Sequence, residues 1–160
     1  MLHLRSDSPT TTSAIAASLA GLARRGDMIV LAGEMGAGKT AFAKGFGAAI
    51  GVTEPITSPT YTLIHSYPAG RVTLHHADIY RLTTHHEVAD LALAELLESD
   101  GIVMVEWGDV VAGTLGDHVL VRLGFDVTDT EARAIEISAS GRAWAGRWSE
   151  IERRLAGFAC

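Results

Sequence analysis

Gly33-Glu34-Met35-Gly36-Ala37-Gly38-Lys39-Thr40 is a complete G-x-x-x-x-G-K-[ST] phosphate-binding loop, and its reading decides the fold. Ahead of it, Met28-Ile29-Val30-Leu31-Ala32 is a short apolar run of the kind a buried strand makes. Behind it, Phe42, Phe46 and Ile50 recur at i, i+4 and i+8, which is one face of a helix. Strand, glycine loop and helix stand in the order the motif needs, and they predict an α/β nucleotide-binding domain.

Glycines in the loop let successive backbone N–H groups turn inward onto phosphate oxygens. The helix opening near Lys39 adds the positive end of its dipole. Lys39 is placed to reach the β- and γ-phosphates, and Thr40 offers a hydroxyl to Mg²⁺. The predicted nucleotide-contacting set is Gly33, Glu34, Met35, Gly36, Ala37, Gly38, Lys39 and Thr40, with Ala41 directly after it. Lys39 and Lys44 are the only lysines in a chain with eleven arginines, so a lysine in the loop is not a by-product of composition.

The 160 residues, 48% hydrophobic, suit one domain, 1–160, with one substantial core. No apolar run approaches the roughly 20 residues of a membrane helix. The first nine residues lack the basic-then-apolar order of a signal peptide. The single cysteine, Cys160, has no intrachain partner. A soluble cytoplasmic protein is the expectation. The net charge of −6 gives no attraction to a phosphate backbone, so strong direct nucleic-acid binding is disfavoured. Eight acids and one arginine, Arg81, lie between Asp78 and Asp109, a solvated surface or a docking face for a basic partner.

Ser8-Pro9 reads as a helix start, with Ile15, Leu19 and Leu22 on one face and Gly26 as the end signal. That span predicts about four turns, with Arg24-Arg25 in the last one. The threonine-rich start, up to Thr12, is a further candidate for the neighbourhood of the nucleotide. Two prolines and three hydroxyl residues in Pro55-Ile56-Thr57-Ser58-Pro59-Thr60 predict an irregular loop. Ser58, Pro59 and Thr60 could serve as a switch at the γ-phosphate or Mg²⁺, or the loop could be a plain connector.

Tyr61–Tyr67 and Arg71–Ala77 read as a hairpin turning at Pro68-Ala69-Gly70. Val72, Leu74, His76 and Asp78 share one face of its second strand, and a carboxylate at the buried end of that face needs a partner or a metal. A helical stretch with Val88, Leu91, Leu96 and Leu97 follows. Ile102-Val103-Met104-Val105-Glu106 is an apolar strand ending in an acid. Beside a phosphate loop, such an acid holds Mg²⁺ or activates the attacking water. Val119, Val121 and Leu123, then Ile135 and Ile137, alternate as a second hairpin at the sheet edge. Trp144, Trp148, Ile151 and Leu155 form the stripe of a terminal helix. His75-His76 and His85-His86 do not predict a transition-metal site: adjacent strand residues point to opposite faces, so His75 and His76 cannot easily share an ion.

The chain contains neither asparagine nor glutamine. The Asn-Lys-x-Asp guanine reader and a water-orienting glutamine are therefore impossible, which favours ATP over GTP. A small-molecule kinase would carry a lid rich in arginines where this chain is acidic. Gly26-Asp27, the loop, Ser58-Pro59-Thr60-Tyr61-Thr62, His76-Ala77-Asp78-Ile79-Tyr80-Arg81 and Glu106-Trp107 together resemble the TsaE family, the bacterial P-loop ATPases of tRNA threonylcarbamoyladenosine biosynthesis.

The resemblance implies a P-loop NTPase with a mixed central sheet flanked by helices, using ATP and Mg²⁺. It implies hydrolysis that supports turnover of a TsaB–TsaD complex, with tRNA engaged only indirectly. It implies Lys39, Asp78 and Glu106 as catalytic residues and Thr40 as a metal ligand; of the two acids, Glu106 is the preferred second ligand because it ends an apolar strand, with the reverse assignment, Asp78 on the metal and Glu106 on the water, the alternative. Trp107 would lie near the nucleotide or the partner, and Ser58-Pro59-Thr60 in a switch loop. Ala41 replaces a threonine common in the family, and Ala92 a glycine. A nucleotide-gated binding module with negligible hydrolysis, or a small-molecule kinase, would be the alternatives.

Overall fold

The computed structural model describes residues 1–57, 64–78, 95–96, 101–106 and 116–160. Seven strands among them form one mixed sheet: β1 (Leu2–Ser6), β2 (Met28–Ala32), β3 (Ile64–Ala69), β4 (Val72–Asp78), β5 (Gly101–Glu106), β6 (His118–Phe125) and β7 (Arg133–Ser140), in the order β1-β7-β6-β2-β5-β4-β3. β2 lies at the centre, parallel to β5 on one side and to β6 on the other. β4 continues the parallel set beyond β5, and the flanking pairs β3/β4, β6/β7 and β1/β7 are antiparallel.

Every residue of β2 and β5 is buried, as expected of parallel strands covered on both faces. Backbone bonds from Gly26 N–H to the Gly101 carbonyl (2.9 Å) and from Val103 N–H to the Asp27 carbonyl (3.0 Å) set where the pair begins. Helices among the described residues include α1 (Pro9–Ala20), α2 (Lys39–Ile50), α3 (Arg142–Ala145) and α4 (Trp148–Leu155). α1 and α2 pack closely, with Ser13 of α1 against Gly45 of α2. Ile15, Leu19, Phe42, Phe46, Leu31, Met104 and Val121 belong to the core between helices and sheet.

Several element predictions need correction. α1 starts as expected, with the Ser8 hydroxyl accepting from Thr11 N–H (3.1 Å) and Pro9 in the first turn. It ends at Ala20, capped by Gly21, so Arg24 and Arg25 lie in the connection to β2 and not in a last helical turn. The terminal stripe is split into two helices at Gly146-Arg147, with Gly146 capping α3 and Arg147, in a buried ion pair with Asp27, opening α4. The first hairpin turns at Gly70-Arg71, with Pro68 and Ala69 still in β3.

The second hairpin is not at the sheet edge: β6 joins β2, and β7 is covered by β1. β1 itself had no predicted counterpart. Its five residues gain definition from pairing with β7, where Leu4 sits opposite Ile135. On its other side Leu4 bridges to Ala159, which shields part of that edge. The helical prediction around Val88, Leu91 and Leu97 falls outside the described residues, apart from the helical pair 95–96.

Candidate functional site

The phosphate loop leaves the C-terminal end of β2, where parallel α/β sheets present their binding crevice. Its shape is a consequence of its glycines. Gly33 has φ 145°, and a Cβ there would lie 2.4 Å from the Leu123 carbonyl oxygen on β6. Gly38, at φ 108°, turns the chain directly into α2, whose first closing bond runs from Phe42 N–H to the Gly38 carbonyl (2.9 Å). The N–H groups of that first turn have no acceptor within the helix and are available to an anion. Glu34, Met35 and Gly36 form the exposed rim, while Ala37 is fully buried beneath it.

Lys39 is 7% exposed. Its amine donates to the Gly33 carbonyl and, at 3.0 Å, to the Glu34 carbonyl, so the charge lies across the loop. Thr40 is half-buried in the same turn, and Ala41 accepts from the Ser13 hydroxyl at 3.3 Å. Thr12, next to Ser13, is buried with its hydroxyl 2.7 Å from that of Ser6. The start of α1 thus lies beside the first turn of α2, and the Thr12 hydroxyl is engaged in local packing.

The two carboxylates are brought together by strand register. Asp78 ends β4 and Glu106 ends β5, and the two are direct partners in the parallel ladder. On its other side Glu106 is opposite Leu31 of β2, two residues before Gly33. Three strand ends therefore place two acids next to the loop. Asp78 is half-buried, whereas Glu106 is 2% exposed. A hydroxyl and two carboxylates are hard oxygen donors, the chemistry that Mg²⁺ requires. Ser58, Pro59, Thr60 and Trp107 lie outside the described residues.

One neighbour of the site was not singled out by sequence, and a second was placed on the same strand face as Asp78 but given no role. Arg133, the first residue of β7, lies over the Phe125 ring (4.7 Å) and donates to the Gly36 carbonyl (3.4 Å), 97 positions away. Only the hairpin pattern hinted that these residues meet, and nothing local ties them to the loop. His76, fully buried, has its Nε2 3.4 Å from Glu106 Oε1. The spacing of two from Asp78 was the available signal. Its neighbour His75 faces the other way, Nδ1 to the Ser66 hydroxyl at 2.7 Å, with its pKa lowered by burial.

Loop, central parallel strands and strand-end acids define a P-loop α/β protein. Comparison with known proteins narrows this. The family model described as "Threonylcarbamoyl adenosine biosynthesis protein TsaE" matches residues 6–135. The tRNA threonylcarbamoyladenosine biosynthesis protein TsaE of Bacillus subtilis is 36% identical over 156 residues, covering 95% of this chain and 94% of that one. Its counterpart from Streptomyces coelicolor is 38% identical over 133 residues, covering 79% and 89%. The crystal structure of Bacillus subtilis YdiB superposes with a TM-score of 0.75 at 30% identity, over 95% of this chain and 94% of that one. The chain belongs to the TsaE family.

Proposed function

We propose that this protein binds Mg²⁺ and ATP and hydrolyses the nucleotide in the service of tRNA threonylcarbamoyladenosine biosynthesis, acting through a TsaB–TsaD complex. The observation that carries the reading is the in-register pair Asp78–Glu106 at the ends of adjacent parallel strands, one strand away from the phosphate loop. A loop alone binds phosphate. A loop with two strand-end carboxylates can also hold a metal and direct a water. The names of the relatives support the pathway, and the resemblance of the motif set supports the partner.

In this reading the loop N–H groups and the first turn of α2 hold the β- and γ-phosphates. Lys39 exchanges its carbonyl partners for phosphate oxygens and follows the charge that develops on transfer. Thr40 and Glu106 would hold Mg²⁺, and Asp78 would orient the attacking water. When bound, Mg²⁺ would neutralise charge on the β- and γ-oxygens. Lys39, Thr40 and Glu106 are placed on regular elements or at their ends, which keeps the donors at fixed positions.

The test is phosphate release from Mg·ATP by the protein alone and with purified TsaB–TsaD. A slow rate that rises on addition of the partners is the expected result. An unchanged rate with no physical association would overturn the partner assignment. Phosphate arriving on an acceptor molecule, with none released, would replace hydrolysis by a kinase reaction.

A further inference from the structure

His76 presents a physical difficulty that the phosphate-site reading does not remove. It is fully buried in β4, and neither Nδ1 nor Nε2 makes a hydrogen bond within the described residues. Leaving both polar atoms of a buried ring unbonded is unfavourable, and an aliphatic side chain would fill the same space without that penalty. The imidazole is nevertheless aimed: Nε2 stands 3.4 Å from Oε1 of Glu106, whose side chain is only 3% exposed. The ladder explains why. His76 and Asp78 lie on the same face of β4, with Met104 and Glu106 as their partners on β5.

We propose that His76 is a positioning residue for Glu106, its Nε2–H holding Oε1 so that the carboxylate is presented to Mg²⁺ in one orientation. The proposal rests on the reading of Glu106 as a metal ligand. The terminal torsion of a glutamate is broad, so each contact to its oxygens narrows the orientations the carboxylate takes. A donor at Oε1, fixed on a neighbouring central strand, narrows them before the metal arrives. With the hydrogen on Nε2, a neutral imidazole supplies one such donor. The contact is within reach but not aligned as a hydrogen bond, and a small rotation of the carboxylate closes it, as site hydrogen bonds commonly tighten on loading. Partners of metal-ligating carboxylates typically change metal affinity by about 10- to 100-fold.

The experiment measures Mn²⁺ binding, as a paramagnetic stand-in for Mg²⁺, to the ADP-loaded protein by electron paramagnetic resonance. ADP binding in EDTA is measured in parallel. His76→Leu keeps the bulk and removes the donor; His76→Gln places an amide N–H near the position of Nε2. The expected result is Mn²⁺ affinity reduced about 10-fold or more in His76→Leu, largely recovered in His76→Gln, with metal-free ADP affinity unchanged in both. Wild-type Mn²⁺ affinity in His76→Leu overturns the proposal, as does equal loss in the two variants.

Should His76→Leu fail to fold, His76→Asn takes its place, since its shorter amide does not reach Glu106. Loss in His76→Asn with retention in His76→Gln then supports the proposal, and no difference between them overturns it. Absence of metal-dependent nucleotide binding in the wild type would overturn the reading of Glu106, and this proposal with it. That outcome is distinct from a failure confined to the variants.

Discussion

Lys39 illustrates how much of the site is local chemistry. It is the one lysine in the loop, nearly buried, with its amine already drawn over the loop carbonyls of Gly33 and Glu34. Lys39→Ala should still fold, because α2 keeps its glycine entry and its apolar face. ATP affinity should weaken, and phosphate release should fall by about 100-fold or more, the usual loss when one charge-stabilising donor is removed. Titration calorimetry and a phosphate-release assay on the same preparation check this, and normal hydrolysis would remove Lys39 from the mechanism. That prediction needs only the motif. The approach of His76 to Glu106 could not be read in the same way, because the two residues meet only through the β4/β5 register.

At the scale of elements, the packing of α1 on α2 turns on small residues. A Cβ at Gly45 would lie 2.6 Å from both the Cα and the carbonyl oxygen of Ser13, and backbone atoms there have little room to yield. Overpacking of this kind costs about 1–3 kcal/mol, against a gain of about 1 kcal/mol in helix propensity. The balance is a net cost of up to about 2 kcal/mol, so Gly45→Ala should lower the thermal midpoint by up to about 8 °C for a chain of this size. Gly146→Ala, at a position with open space around it, is the control and should not destabilise. Circular-dichroism melts of the two variants distinguish these outcomes.

Apolar periodicity located most of the described helices and strands, though not β1, and it did not show where they end. α1 stops at Gly21 and not at Gly26. The terminal stripe is interrupted where Arg147 turns inward. Helix ends depend on contacts to other elements, and a periodic pattern does not contain those contacts.

At the scale of the whole molecule, a buried ion pair joins the C-terminal segment to the residue directly ahead of the strand that carries the loop. Arg147 donates to both oxygens of Asp27 at 2.7 and 2.8 Å, and also to the Leu22 and Ala143 carbonyls. Its guanidinium lies 3.8 Å over the Trp144 ring. Arg147→Ala would leave the Asp27 carboxylate buried without that fork, at a cost of about 3–5 kcal/mol. A fall of about 6–20 °C in thermal midpoint follows. Replacing both residues, Asp27→Leu with Arg147→Met, should recover most of the loss, since no uncompensated charge then remains. Urea unfolding of the single and double variants measures the difference, and equal destabilisation by both would show that the pair acts through packing alone.

The sequence by itself determined the phosphate loop, the apolar strand ahead of it, the helix behind it and the apolar strand ending in Glu106. Each is written in consecutive residues: glycines that permit the turn, a lysine and a threonine at its end, and a run of β-formers. Only the tertiary structure decided that Asp78 and Glu106 stand side by side, that His76 faces Glu106, that Arg133 reaches the loop rim, and that Leu2–Ser6 is a strand. These depend on strand order and register across distant parts of the chain. A local pattern specifies which face of a strand is buried, whereas its neighbours are chosen by the free energy of the assembled sheet.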